Sequence, residues 1–172
     1  MQSHFQLFGI EPAFALDALT LERAYRDIQS RIHPDRFAQS GDAERRASMQ
    51  WATRVNEAYR VLKSPLERAR YLLELNGVDA GFETNTSMPV EFLERQLELR
   101  EALDAAGQAQ DRAALDALRD ALRAERDALE RTLAERLDGA RDWAGAAGAL
   151  RQLRFFEKLD EEIDAALDGI EG

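Results

Sequence analysis

Apolar residues recur at intervals of three and four positions through most of the chain, which is the spacing of amphipathic helices. Two such stripes lie in the first half: Leu21, Tyr25, Ile28 and Ile32, then Ala52, Val55, Tyr59 and Leu62. Two more lie in the second half: Leu115, Leu118, Leu122, Leu129 and Leu133, then Trp143, Leu150, Leu153, Phe156, Ile163 and Leu167. The pattern predicts an all-α protein.

Helix boundaries in the first half are indicated by capping residues and prolines. The first long helix begins near Asp17 or Thr20, both good N-caps, and ends at His33-Pro34, since proline disfavours helical geometry in the residue before it. A second long helix covers about residues 42–63, and Ser64-Pro65 starts a shorter one. Two long helices joined by a polar loop are expected to lie antiparallel, with short flanking helices over their seam.

A turn-rich segment rich in Gly, Asn, Ser and Thr separates the halves. Three helices are expected beyond it, near 88–105, 109–138 and 141–168, with breaks at Gly107 and Gly139, and a three-helix antiparallel bundle is their simplest packing. The domain boundaries that follow are 1–76, 77–87 for the linker, and 88–172.

Composition and charge exclude several classes of function. There is no cysteine, which excludes disulfides and thiolate metal sites, and we expect no metal and no cofactor. The net charge of −10 is uneven: residues 1–76 carry 11 Lys and Arg against 10 Asp and Glu, and residues 77–172 carry 12 against 23. Such an acidic half disfavours nucleic acid and anionic lipid. With no signal segment and no membrane span visible, we expect a cytoplasmic protein.

The tripeptide His33-Pro34-Asp35 is the most conspicuous candidate site. By itself it reads as a helix stop, because X-Pro-Asp turns are common. The helix that enters the turn carries Arg23 and Arg26 off its apolar stripe, and Arg36 follows, so a cationic face leads into an exposed turn. The alternatives are a docking surface for an acidic partner and a merely solvated face.

The run from Arg23 to Phe37 resembles helix II and the loop of a J domain, and Asn56–Pro65 resembles the end of its helix III. Phe92–Glu101 is similar to the scaffold-binding helix of HscB, the J-protein family of iron–sulfur cluster assembly. Leu150–Leu159, His4–Ile10 and Arg68–Leu73 fit the same family, so the resemblance spans essentially the whole chain. Some eukaryotic relatives carry a cysteine-rich N-terminal module, and its absence from this sequence favours a bacterial-type protein.

The resemblance implies an N-terminal J domain that engages a DnaK-type chaperone, HscA, and a bundle that delivers the scaffold protein IscU. The implied chaperone-binding residues are His33, Pro34, Asp35, Arg23, Arg26 and Arg36. The implied scaffold-binding residues are Leu93, Glu94, Leu97, Glu98, Glu101 and Phe155. This chain departs from the family pattern at two positions: Glu94 stands where a Met can occur, and Ala105 stands where an acidic residue can occur. Homo-oligomers are possible but not indicated.

The predicted scaffold surface has some support from helix geometry. Leu93 and Leu97 lie roughly 100–140° from the core stripe of their helix at about 100° per residue, and three glutamates continue around it. An apolar strip edged with acids and carrying Phe155 is a reasonable interface. The alternative is that both leucines widen the bundle core.

Other functions fit less well. The histidines are His4 and His33, with no Gly-rich phosphate loop and no nucleophile beside them, so we expect no enzymatic activity. A general J-domain adaptor that delivers a different client is the main alternative. A helical interaction module with an incidental His-Pro-Asp comes third.

Overall fold

The structure is a computed structural model that describes residues 2–83 and 87–171, and these ranges contain helices, turns and irregular segments but no strand. The chain divides into two compact units, Met1–Leu75 and Asn76–Gly172. The all-α prediction is confirmed.

The first unit is a helical hairpin with short flanking helices. Its α-helices are α1 His4–Leu7, α2 Ala18–Ile32, α3 Asp42–Lys63 and α4 Pro65–Leu75, with a 3₁₀ turn at Pro34–Phe37 between α2 and α3. Asp17 is the N-cap of α2, where its carboxylate accepts a hydrogen bond from the Leu19 N–H. His33 ends that helix, as the following proline predicts.

The core of this unit is built from α1, α2, α3 and α4. Phe5, Leu21, Val55 and Leu62 are at most 2% exposed. The buried guanidinium of Arg68 donates to the carbonyl oxygens of Phe14 (2.8 Å) and Leu62 (2.7 Å), which ties the loop before α2 to the end of α3. The Leu62 carbonyl is one that the helix end itself leaves without a partner.

The second unit is the expected three-helix bundle. It comprises α5 Val90–Gln108, α6 Arg112–Ala134, a π-helical turn at Glu135–Ala140, and α7 Trp143–Glu171. Its core contains Phe92, Leu99, Leu103, Ala106, Leu115, Leu122, Phe156, Leu159, Ile163 and Leu167. No helix in the described ranges has both the length and the apolar character that crossing a membrane requires.

The two bundle turns differ in detail from the sequence prediction. Helix α5 does not break at Gly107 but continues to Gln108, and the chain reverses at Gln110, whose φ is +52°. Asp111 then caps α6 by accepting from the Ala114 N–H. At the other end the helix widens into the π turn around Gly139, and Arg141 takes the left-handed conformation.

Candidate functional site

The His-Pro-Asp turn, residues 33–36, lies on the surface of the first unit. The side chains of His33 and Asp35 are 51% and 92% exposed. The Asp35 N–H donates to Nδ1 of His33 over 3.3 Å, so the outer Nε2 carries the proton of the neutral ring. A donor and a carboxylate therefore face solvent side by side.

Both sides of this turn are anchored. The Ser48 hydroxyl on α3 donates to the carbonyl of Ile32, the last residue of α2, over 2.6 Å. The Arg36 guanidinium donates to the Ser30 carbonyl over 2.9 Å. Both ends of the turn are thus hydrogen-bonded to the helical pair.

The α2–α3 pair is joined by aromatic and polar contacts upstream of the turn. Tyr25 and Tyr59 stack with ring centroids 4.0 Å apart. The Tyr25 hydroxyl donates to Oδ1 of Asn56 over 2.8 Å. Tyr25 and Tyr59, which the sequence placed in buried stripes, are only half-buried.

The predicted arginine face of α2 is exposed but less cationic than the sequence suggests. Arg26 forms an ion pair with Glu22 at 2.5 Å. Arg23 is exposed and forms no ion pair within the described residues, and the same holds for Arg36. Arg36 therefore lies at the turn, whereas Arg23 lies about 15 Å away along α2, close enough to Asp17 to interact with its charge.

In the bundle, the two predicted leucines lie outside the core. Leu93 is 48% exposed and Leu97 is 62% exposed, whereas Leu99, two residues further on, is 2% exposed. The alternative that these leucines widen the bundle core is therefore wrong. We call Leu93 and Leu97 the apolar ridge of α5.

Phe155 is placed differently from the ridge. It is partly buried against the bundle core, with edge-to-face contacts to Phe92 at 5.7 Å and Phe156 at 5.6 Å. The guanidinium of Arg100 lies over its ring, 5.6 Å from the centroid, and is itself paired with Glu162. Phe155 thus supports the surface more than it projects from it.

One edge of the apolar ridge is acidic. Glu94, Glu98 and Glu101 are all exposed. Glu98 is paired with Arg95 at 3.1 Å, and the stronger hydrogen bond from Arg95 to Glu125 raises the arginine pKa. Glu94 and Glu101 form no ion pair within the described part of the chain, so they retain charge for a partner.

The opposite edge is basic, which the sequence analysis missed. An open groove of about 380 Å³ between α5 and α7 is lined by Phe82, Met88, Leu93, Gln96, Arg100, Arg151, Arg154, Phe155 and Lys158. The signal was present in the sequence: Arg151, Arg154 and Lys158 fall within an arc of about 60° on α7 at helical geometry. The ridge therefore has an acidic edge and a basic edge.

Within residues 2–83 and 87–171, no group of three or more His, Asp or Glu side chains is arranged to hold a metal ion.

Comparisons with known proteins agree with this architecture. A family described as "HSCB C-terminal oligomerisation domain" matches residues 88–164. A co-chaperone protein HscB homolog of Burkholderia thailandensis is 52% identical over 98% of this chain and 96% of its own. The structure of chaperone HscB from Vibrio cholerae superimposes with a TM-score of 0.86 at 35% identity, covering 98% and 99% of the two chains. The crystal structure of human co-chaperone protein HscB superimposes with a TM-score of 0.89 at 28% identity, covering 96% of this chain and 82% of the human chain.

An exposed His-Pro-Asp turn on a helical hairpin, followed by a three-helix bundle, defines a J-domain co-chaperone. The chain belongs to the HscB family, the J-domain co-chaperones of iron–sulfur cluster assembly. Its relatives are named as co-chaperones and not as enzymes, and the class of partner implied is a DnaK-type chaperone.

Proposed function

We propose that this protein stimulates the ATPase of the chaperone HscA through its first unit and delivers the scaffold protein IscU through its second, in the bacterial cytoplasm. The observation that carries the proposal is the turn at residues 33–36, because its side chains are exposed while its backbone is anchored to α2 and α3.

The chaperone-binding role rests on the groups that surround the turn. His33 offers an outward N–H, Asp35 an almost fully exposed carboxylate, and Pro34 fixes the backbone between them. Arg36 adds positive charge at the turn without an ion pair in the described residues, and Arg23 adds positive charge further along α2. Such a mixed surface fits a partner with acidic and basic groups at matching positions.

The scaffold-binding role rests on the apolar ridge and its acidic edge. Exposed leucines at the centre of a charged surface are the arrangement of an interface in which apolar burial supplies affinity and the rim supplies specificity. Glu94 and Glu101 are the unpaired acids at this ridge. Phe155 forms its partly buried floor.

The two roles act together. A scaffold held on the bundle is brought to the chaperone at high effective concentration, because both are bound to one chain. The turn then biases the chaperone toward its hydrolysing state, provided that it binds that state more tightly. No step requires this protein to bind a nucleotide.

His33→Gln tests the chaperone-binding role. Since the His33 side chain is half exposed, we expect a normal fold and unchanged IscU affinity. Stimulation of the HscA ATPase should fall by about tenfold or more, equivalent to at least about 1.4 kcal/mol of lost interaction. Stimulation at the wild-type level would refute the assignment.

A second measurement distinguishes the proposed function from the main alternative, a general J-domain adaptor. If the protein stimulates the chaperone but does not bind purified IscU in a calorimetric titration, the bundle carries another client and the protein is a general J-domain adaptor.

A further inference from the structure

Every basic residue of α7 lies on one side of that helix. Between Trp143 and Glu171 these are Arg151, Arg154 and Lys158, whereas acids are spread around the helix. All three line the same groove, whose apolar walls include Leu93 and Phe155. We call these three residues the basic edge. In a chain with a net charge of −10, such segregation needs an explanation.

No carboxylate of the described residues neutralises the basic edge. The Arg151 Nη1 donates to the Ala80 carbonyl over 3.0 Å, but its buried Nε has no acceptor. The Arg154 guanidinium lies 4.5 Å from the centroid of the Phe82 ring, without an ion pair. The Lys158 ammonium is exposed and also forms none.

Other arginines of the bundle are engaged differently. Arg95 pairs with Glu125 at 2.5 Å, and Arg126 pairs with Asp160 at 2.9 Å, each across two helices. These pairs join the bundle helices to one another. Within the described residues the basic edge joins no acidic side chain, so its charge is available to an anion from outside.

The basic edge is continuous with the proposed scaffold surface. Around α5, at about 100° per residue, Arg100 precedes Leu93 by about 20°, Leu97 follows by about 40°, and Glu101 follows by about 80°. Arg100 is itself paired with Glu162, so the unpaired positive charge on this side of the ridge comes from the basic edge of α7, which lines the same groove as Leu93. A partner that covers the ridge reaches both edges.

We propose that the scaffold docks with an acidic segment over the basic edge, placing a carboxylate near Lys158 and Arg154 and an apolar side chain against Leu93. This inference rests on the proposed delivery of IscU by the bundle. Carboxylate is the chemistry selected, because two cations without an ion pair in the described residues, beside an apolar wall, favour an anion that carries an aliphatic stem. Opposite charge at the two edges also fixes the direction in which the scaffold lies across the ridge.

The test is calorimetric titration of purified IscU into the full-length protein and into Arg154→Glu/Lys158→Glu. The matched control is Arg123→Glu/Arg131→Glu, which makes the same change in net charge at two exposed arginines of α6. We expect the edge variant to lose about tenfold in affinity at low salt and the control to change less than about twofold. The loss should shrink in about 0.5 M salt, because the Debye length there is only about 4 Å.

Each alternative outcome is distinguishable. Equal effects of the edge and control variants would overturn the basic-edge proposal, and Leu97→Ala would then show whether the scaffold still uses the ridge. Unchanged affinity in both Leu97→Ala and the edge variant would show that the scaffold binds on another face of the bundle, whereas no binding of IscU by the wild-type protein would refute the proposed scaffold role itself. If the edge variant alters only the sedimentation of the free protein, the occupant is a second copy of this chain and the proposal fails. Lys158→Glu alone should show part of the loss, since that side chain is exposed and forms no ion pair in the described residues.

Discussion

Leu97 and Leu99 lie two residues apart on α5 but face different environments, which makes them a matched pair for testing the scaffold surface. Leu97 is 62% exposed and Leu99 is 2% exposed. Substitution of each by alanine removes the same atoms from the same helix. The chemical change is constant, and only the environment differs.

The expected magnitudes follow from burial. Full burial of a leucine side chain contributes about 1.5–3 kcal/mol, so covering the exposed part of Leu97 contributes about 1–2 kcal/mol to binding. Leu97→Ala should therefore weaken IscU binding by about 5–30-fold. Its free energy of unfolding should change by less than about 0.5 kcal/mol, as for other surface substitutions. Leu99→Ala should instead lose about 2–5 kcal/mol of stability.

Calorimetric titration with IscU and urea denaturation followed by circular dichroism measure both quantities. Leu99→Ala is titrated at a temperature at which it remains folded, where its affinity should be close to wild type. An unchanged affinity in Leu97→Ala would refute the ridge as a binding surface. A stability loss in Leu97→Ala comparable to that in Leu99→Ala would show that the side chain is a core residue.

Two further predictions concern the first unit. Arg68→Met removes two hydrogen bonds to buried carbonyl oxygens, and we expect a loss of about 3 kcal/mol in the free energy of unfolding by urea denaturation, partly restored in Arg68→Lys. Burial lowers the pKa of His4, which stacks on Tyr71, so the folded protein binds a proton less readily than the unfolded chain. The free energy of unfolding should therefore fall as the pH drops through about 6.5, and His4→Gln should reduce that slope. A slope that is identical in the variant would contradict this reasoning.

The parts of the fold that the sequence predicts are those governed by local rules. Pro34 and Pro65 bound helices because of steric restriction, and Asp17 caps a helix because its carboxylate reaches free N–H groups. The bundle turns depend on less local effects. Glycine at 107 and 139 suggests a break at each position, yet the left-handed residues are Gln110 and Arg141.

The candidate sites were predictable to different degrees. The exposure of Leu97 follows from its angle to the core stripe, which a helical wheel supplies. The partial burial of Phe155 depends on its contacts with Phe92 on α5 and Phe156 on α7. The residue spacing within one helix does not predict a contact with another helix. Charge pairing was the least predictable: whether Arg26 is free or bound to Glu22 depends on rotamers.

The hydrogen bond from Ser48 to the Ile32 carbonyl has a consequence for the entropy of association. It fixes the last carbonyl of α2 to the neighbouring helix, so the turn has little conformational freedom left to lose when a chaperone binds. A flexible loop with the same three side chains would lose that freedom at the moment of contact and bind more weakly for the same final contacts. Through this hydrogen bond, Ser48 would contribute to the affinity of the proposed chaperone site fifteen residues before it.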